Sequence, residues 1–358
     1  MNQELRTENT IGSVNPGRGD LWSPFPAVKA DLDRVQSIIA DQARSGSSRL
    51  DEALKDFSQR TGKLLRPAFL LLSARCNPRS RRRLRLFSAG GRTALEQPLE
   101  DRFYYLAAAV ELLHLATLIH DDVVDDSDTR RGRPTLNSLY GDRDAVLLGD
   151  LLFARCFALV AKHATLKNAQ SMATAVSRIC DGEVAEAIND RGTIPSARRY
   201  VRRVAAKTAL LFALSFQVGA DEAGANERQV EAFRRAGYNV GVAFQIIDDV
   251  LDLTGDTTVV GKTTGSDLLQ GVVTLPVVLA MQNDGTGVLR HNIESVLSGE
   301  GDVGAVADLV AANGGVTLAK QRAAQYSRRA IAEVGRAAST PARGVLETVI
   351  LELTARAY

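Results

Sequence analysis

The sequence predicts an all-α fold. From Ala27 onward apolar residues recur at helical spacing, short Gly, Pro, Asn or Asp punctuation separates runs of ordinary to long helix length, and no run alternates convincingly enough to be a strand. The first helix, over 27–43, is led into by Ser-Pro-Phe-Pro. Helices are then expected over 49–60, 66–76, 101–125, 144–163, 168–190, 196–219 and 227–254, with shorter ones through the C-terminal third. No solenoid-type repeat is present. Residues 1–25 lack periodicity and read as a disordered, mobile N-terminal arm, leaving 26–358 as a single all-α domain. Within it, 77–100 carries Arg79, Arg81, Arg82, Arg83 and Arg85 with Gly90 and Gly91, and reads as an Arg-rich surface insertion. It lacks an amphipathic face to insert into lipid, so a solvated loop is favoured over a headgroup contact.

With 358 residues, 45% of them hydrophobic, the chain is long enough to bury one large helical core. Lys plus Arg number 44 against 42 Asp plus Glu, which excludes a global basic field of the kind that draws proteins to nucleic acid. Cys76, Cys156 and Cys180 sit in apolar stretches, as buried thiols in a reducing compartment do. The polar start and the absence of 18 uninterrupted apolar residues point to a cytoplasmic, soluble protein.

The chemistry is signalled by two acidic clusters. Leu112 to Asp128 reads LLHLATLIHDDVVDDSD, an apolar helix finishing in carboxylates, with Asp121, Asp122 and Asp125 in the pattern D-D-x-x-D. Asp121 and Asp125 are one helical turn apart and share a face. The pattern returns 127 positions later in FQIIDDVLD, as Asp248, Asp249 and Asp252. Six carboxylates beside apolar helical faces need compensating charge. Magnesium fits best, because it takes one or two carboxylates, keeps waters and is completed by substrate phosphates. One such cluster is commonly ordinary helix surface; two, each behind an apolar run and followed by basic residues, are not. Glycoside hydrolysis, the other chemistry of paired acids, needs one carboxyl on each side of a bond rather than triplets.

Basic side chains that would meet phosphates accompany both clusters. Arg130, Arg131 and Arg133 follow the first, where Gly132 and Pro134 break the helix and can turn guanidinium groups back over the carboxylates. In GKLLRP, Lys63 and Arg66 stand before an apolar helix beginning near Pro67, a ready anion site. His114, two turns before Asp121, is either a phosphate ligand or a satisfied core histidine. Lys207 with Thr208, and Lys262, offer further cations. GKTTG is not a nucleotide-binding loop, since the earlier glycine and the preceding strand are missing.

Taken together, GKLLRP, HLATLIHDDVVDDSDTRRGRPT, AAKTALLF, FQIIDDVLD and GKTTGSDLLQGVVTLP resemble the trans-polyprenyl diphosphate synthases, in that family's order and over roughly residues 27 to 350. The resemblance implies an isoprenoid-synthase helical bundle around a deep central cavity, with the two aspartate motifs facing each other across its mouth, and a homodimer. It implies that Asp121, Asp122, Asp125 and Asp248 bind magnesium and the allylic diphosphate, supported by Arg130, Lys207, Thr208, Gln245 and Lys262. Asp249 and Asp252 complete the second motif. Gly62, Lys63, Arg66, His114 and Arg131 match positions that bind isopentenyl diphosphate. Val272 departs from the pattern, since many members carry lysine there.

The implied reaction suits these residue types. Heterolysis of an allylic carbon–oxygen bond leaves negative charge on diphosphate, which metal, Arg and Lys stabilise. Apolar walls keep water from the cation until the isopentenyl double bond attacks. No protein general base stands out, and released diphosphate can take the proton. Product length is expected from Leu113, Ala116 and Thr117, which precede Asp121 and line a tail pocket. In the family a bulky aromatic at the fourth or fifth position before the motif stops growth early. Ala116 and Thr117 are small, which favours C30 to C45 over a C20 product. Alternatives are a subunit of a heteromeric synthase and a class I terpene cyclase, the latter having no need of Lys63, Arg66 or a second D-D-x-x-D. Transient membrane contact during product release is a further expectation.

Overall fold

Proline at the first helical position starts α1 (Pro26–Gln42), where its fixed φ suits the helix and its missing N–H costs nothing. The computed structural model describes residues 20–44, 46, 48–59, 62–76, 95, 97–130, 132–189, 194–255, 265–338 and 340–355. After α1 come α2 (Ser48–Gln59), α3 (Leu65–Arg75) and α4 (Asp101–Val124). A two-residue antiparallel ladder, β1 (Thr129–Arg130) with β2 (Arg133–Pro134), follows, then α5 (Leu136–Tyr140), α6 (Asp142–His163) and α7 (Leu166–Asn189). Next is α8 (Ala197–Glu222), which widens into one π turn at Ala205–Ala209. It is followed by α9 (Glu227–Thr254), α10 (Ser266–Leu269), α11 (Leu275–Met281), α12 (Val288–Leu297), α13 (Val303–Ala312), α14 (Gly315–Ala337) and α15 (Pro341–Thr354).

The all-α expectation holds, and the long helices fall within two or three residues of their expected limits. The closest agreement is α9, whose start is fixed by a capping box between Asn226 and Gln229. The ladder at 129–134 was not expected. It forms because Gly132 takes φ +72, letting the chain reverse within two residues.

One large apolar core links α1, α3, α4, α6, α8, α9 and α15, with Phe69, Phe212, Phe216 and Phe233 at its centre. Phe69 stacks on Phe216 at 4.7 Å. A second cluster joins α8, α9, α11 and α14, and a third closes the C-terminal helices. Asp101–Val124 and Ala197–Glu222 are long and apolar enough to cross a membrane, and most of each lies inside the protein.

Helix direction places the chemistry. α4 ends in the first aspartate motif and α9 in the second, while α8 and α9 join at the opposite end. That opposite end is tied by Glu222, a buried carboxylate. It accepts from Thr165 N and Oγ1 at 2.8 and 2.9 Å, from Asn168 Nδ2 at 2.8 Å and from Arg102 at 2.8 Å. Glu222→Ala leaves these donors facing an apolar gap, and we expect it to cost about 3 kcal/mol or more, read as a lower midpoint in urea unfolding.

Three expectations need correction. The end of the supposed arm is packed: Leu21 and Trp22 are buried, and Trp22 Nε1 donates to the Lys63 carbonyl at 2.6 Å. Residues 1–19 lie outside the described residues. The end of the Arg-rich insertion is packed too, with Leu99 buried and its N–H donating to the Tyr104 hydroxyl at 3.2 Å, while 77–94 lie outside the described residues. Cys76 and Cys156 are buried, each thiol pushed up to about 12 by desolvation, but Cys180 is exposed because it falls on the outer face of α7.

Candidate active site

α4 keeps its hydrogen bonding as far as Asp125, whose N–H donates to the Asp121 carbonyl at 2.9 Å, and Asp126 then turns left-handed at φ +48. The helix therefore stops just as it delivers the last acid of the motif. Asp122 is buried, and burial raises its carboxyl despite the opposing pull of Arg130. Arg130, carried back by the ladder, donates from Nε to Asp122 Oδ1 at 2.8 Å. Asp122 Oδ2 is buried without a hydrogen-bond partner among the described residues. Burial also raises Asp121, against Lys207 and Arg130.

The second motif is built differently. Asp249 is buried and accepts from the Tyr200 hydroxyl at 2.6 Å and from Gln245 Nε2 at 2.9 Å. Desolvation raises its carboxyl, with Asp248 adding to the effect and the two donors opposing it. Asp252 accepts from Ser266 Oγ at 2.6 Å and from the Asp267 N–H at 3.2 Å, and so holds the start of α10. Asp248 is half-buried on the same face as Asp252.

The π turn of α8 joins the two motifs. Lys207 Nζ lies 3.7 Å from Asp121 Oδ2 and 3.3 Å from Glu183 Oε2. The adjacent Thr208 donates from Oγ1 to Gln245 Oε1 at 2.8 Å, and Gln245 passes the chain of hydrogen bonds to Asp249. Two helices grip the turn through glycines. A Cβ at Gly241 would fall 2.6 Å from Ala209 Cα, and one at Gly182 would fall 2.6 Å from Ala206 Cβ. Neither position has room for a side chain.

GKLLRP reaches the second motif through aromatic rings. Leu64 sits at φ +47, a left-handed conformation costing a non-glycine residue about 1–2 kcal/mol. That kink exposes Gly62 and Lys63 and starts α3. The Arg66 guanidinium lies 4.7 Å from the Phe212 ring centre, and Phe212 lies 5.6 Å from Phe244, the residue before Gln245. His114 is half-buried, and its carbonyl accepts from Thr117 Oγ1 at 2.8 Å. Leu113 and Ala116 are fully buried. Arg131 and Lys262 lie outside the described residues.

The donor set fits a hard divalent cation. Two carboxylates of the first motif are raised by burial, and one of their oxygens is orphaned. A hard cation of the magnesium kind takes one or two such carboxylates and completes its shell with water and phosphate. Tyr200 and Glu183 are site neighbours that sequence reasoning missed. Their only signal was a polar residue on the inward face of a helix facing a motif.

These features define an all-α protein with two acidic helix ends linked through Lys207, Thr208 and Gln245. The family description "Polyprenyl synthetase" matches residues 47–310. A heptaprenyl diphosphate synthase component 2 from Geobacillus stearothermophilus is 40% identical over 265 residues, 74% of this chain and 77% of that protein. The nonaprenyl diphosphate synthase of Mycobacterium tuberculosis is 30% identical, covering 90% of this chain and 92% of its own. A solved polyprenyl synthase from Caulobacter crescentus CB15, complexed with calcium and isoprenyl diphosphate, superposes with a TM-score of 0.81 at 31% identity, over 94% of this chain and 97% of that one. The chain belongs to the polyprenyl synthetase family. It is a prenyltransferase of the trans-polyprenyl diphosphate synthase kind, which joins isopentenyl diphosphate to an allylic diphosphate.

Proposed function

We propose that the chain is a magnesium-dependent synthase that extends an allylic diphosphate to a product of C30 to C45. The observation that carries this reading is the π turn, which sets Lys207 against the first aspartate motif and Thr208, through Gln245, against the second. Asp121, Asp122, Asp125 and Asp248 hold the magnesium, with Asp249 and Asp252 completing the second motif. When bound, the ion supplies positive charge to the departing diphosphate. Lys207 and Arg130 stabilise the same charge as the allylic carbon–oxygen bond breaks, and Thr208 and Gln245 orient the headgroup. Lys63, Arg66 and His114 bind isopentenyl diphosphate on the Gly62 side, with Arg131 contributing from outside the described residues, where Lys262 belongs to the allylic diphosphate set. Apolar side chains exclude water from the cation, and the leaving diphosphate takes the final proton.

The long product is supported by small side chains at Ala116 and Thr117, and by relatives named for heptaprenyl, octaprenyl and nonaprenyl products. A homodimer is supported by Val146, Leu147 and Phe157, large apolar side chains exposed along α6 that a second copy would cover. Incubating the purified chain with magnesium, farnesyl diphosphate and labelled isopentenyl diphosphate should give products lengthened in five-carbon steps and ending within the proposed range. Termination at C20 would overturn the length. Inertness with geranyl, farnesyl and geranylgeranyl primers would overturn the single-chain reading.

A second reading, a heteromeric synthase, is favoured by the relative at 40% identity being called component 2. Gel filtration with assay of the single chain separates the two, because activity only after another subunit is added would establish the second.

A further inference from the structure

The close approach of α7 to the π turn depends on Gly182, where any Cβ would meet Ala206, and the residue beside it is Glu183. Its Oε2 is 3.3 Å from Lys207 Nζ, which also lies 3.7 Å from Asp121 Oδ2. Both partners are partly shielded, with side-chain exposures of 30% for Glu183 and 39% for Lys207. A lysine side chain carries about 2 kcal/mol of rotamer entropy, which a fixed carboxylate partner helps to offset.

We propose that Glu183 is a positioning residue, which holds Lys207 aimed past Asp121 so that an allylic diphosphate meets an ammonium already in place. This rests on the reading of Lys207 as a diphosphate ligand. Glu183 acts through Lys207 and does not touch substrate.

Two effects of removing Glu183 have opposite signs. A carboxylate near an anion site repels the anion, so losing its charge would tighten diphosphate binding through a term that solvent screens. Losing the charge-assisted hydrogen bond frees Lys207 and weakens binding by about tenfold or more. The proposal requires that the second effect win.

The test uses the full-length chain with magnesium. Binding of farnesyl thiodiphosphate, an unreactive analogue, is measured by calorimetry, and KM is measured for each substrate, in the parent, Glu183→Gln, Lys207→Met and the double variant. Thermal melting accompanies each, so that lost structure is not mistaken for lost alignment. Expected results are about tenfold weaker analogue binding in Glu183→Gln, a raised KM for farnesyl diphosphate with that for isopentenyl diphosphate unchanged, and a double variant no weaker than Lys207→Met alone. Unchanged or tighter binding in Glu183→Gln, while Lys207→Met weakens it, overturns the positioning role. So does an undiminished loss in the double variant, which would make Glu183 act independently. If Lys207→Met binds the analogue normally, the reading of Lys207 fails and takes this inference with it.

Discussion

Asp121→Asn should lower kcat/KM by about a thousandfold or more, since it removes the charge that Lys207 meets and that the proposed metal ion would use, while keeping the side chain's shape. The carboxylate is partly enclosed, with 19% of the side chain exposed and Lys207 Nζ 3.7 Å away. Burial raises its carboxyl, and Lys207 and Arg130 oppose that shift. Asparagine would keep the Lys207 contact with Glu183 and would offer a metal only a neutral oxygen. The loss should fall mainly on kcat, because charge on diphosphate grows as the bond breaks. Steady-state kinetics at saturating magnesium, with melting unchanged within a few degrees, would establish this. A loss smaller than tenfold would remove Asp121 from the metal site.

Ala116→Phe should shorten the product by at least two isoprene units while leaving the first condensation intact. Ala116 is fully buried, five positions before Asp121, in the same stretch of α4 as Leu113 and Thr117. If that stretch faces the growing tail, a phenyl ring there meets the chain before it meets the core. If it faces only neighbouring helices, the ring overpacks them and costs about 1–3 kcal/mol without touching product length. Mass analysis of dephosphorylated products together with a melting curve separates the cases. An unchanged product with a lowered melting temperature would move the tail elsewhere.

Much of the site was legible because it is written in local patterns. The D-D-x-x-D triplets behind apolar runs placed carboxylates at two helix ends, and Gly132 announced the reversal that returns Arg130 to Asp122. What escaped depends on contacts between distant segments. Tyr200 reads as one aromatic among four arginines, and only folding puts its hydroxyl on Asp249, 49 positions away. Burial of Trp22 follows from an acceptor, the Lys63 carbonyl, that no composition could announce. The π turn was illegible for another reason: Ala-Ala-Lys-Thr-Ala is an ordinary helix former, and its wider hydrogen bonding is chosen by the helices packed around it.

That turn has a meaning for how the protein can change. A π turn inserts one residue into a helix, shifting by roughly 100° the phase of everything beyond it. Upstream, α8 presents Tyr200 and Val204 to the interior; downstream, it presents Phe212 and Phe216. The extra residue is the vernier between these two registers, and neighbouring side chains address different helices, Lys207 meeting Asp121 of α4 and Thr208 meeting Gln245 of α9. Removing one residue would restore a continuous α-helix that satisfies the backbone and misaligns the two halves. Drift at this point in the chain is therefore quantised: substitutions adjust the site by degrees, whereas a single insertion or deletion moves it by a whole residue.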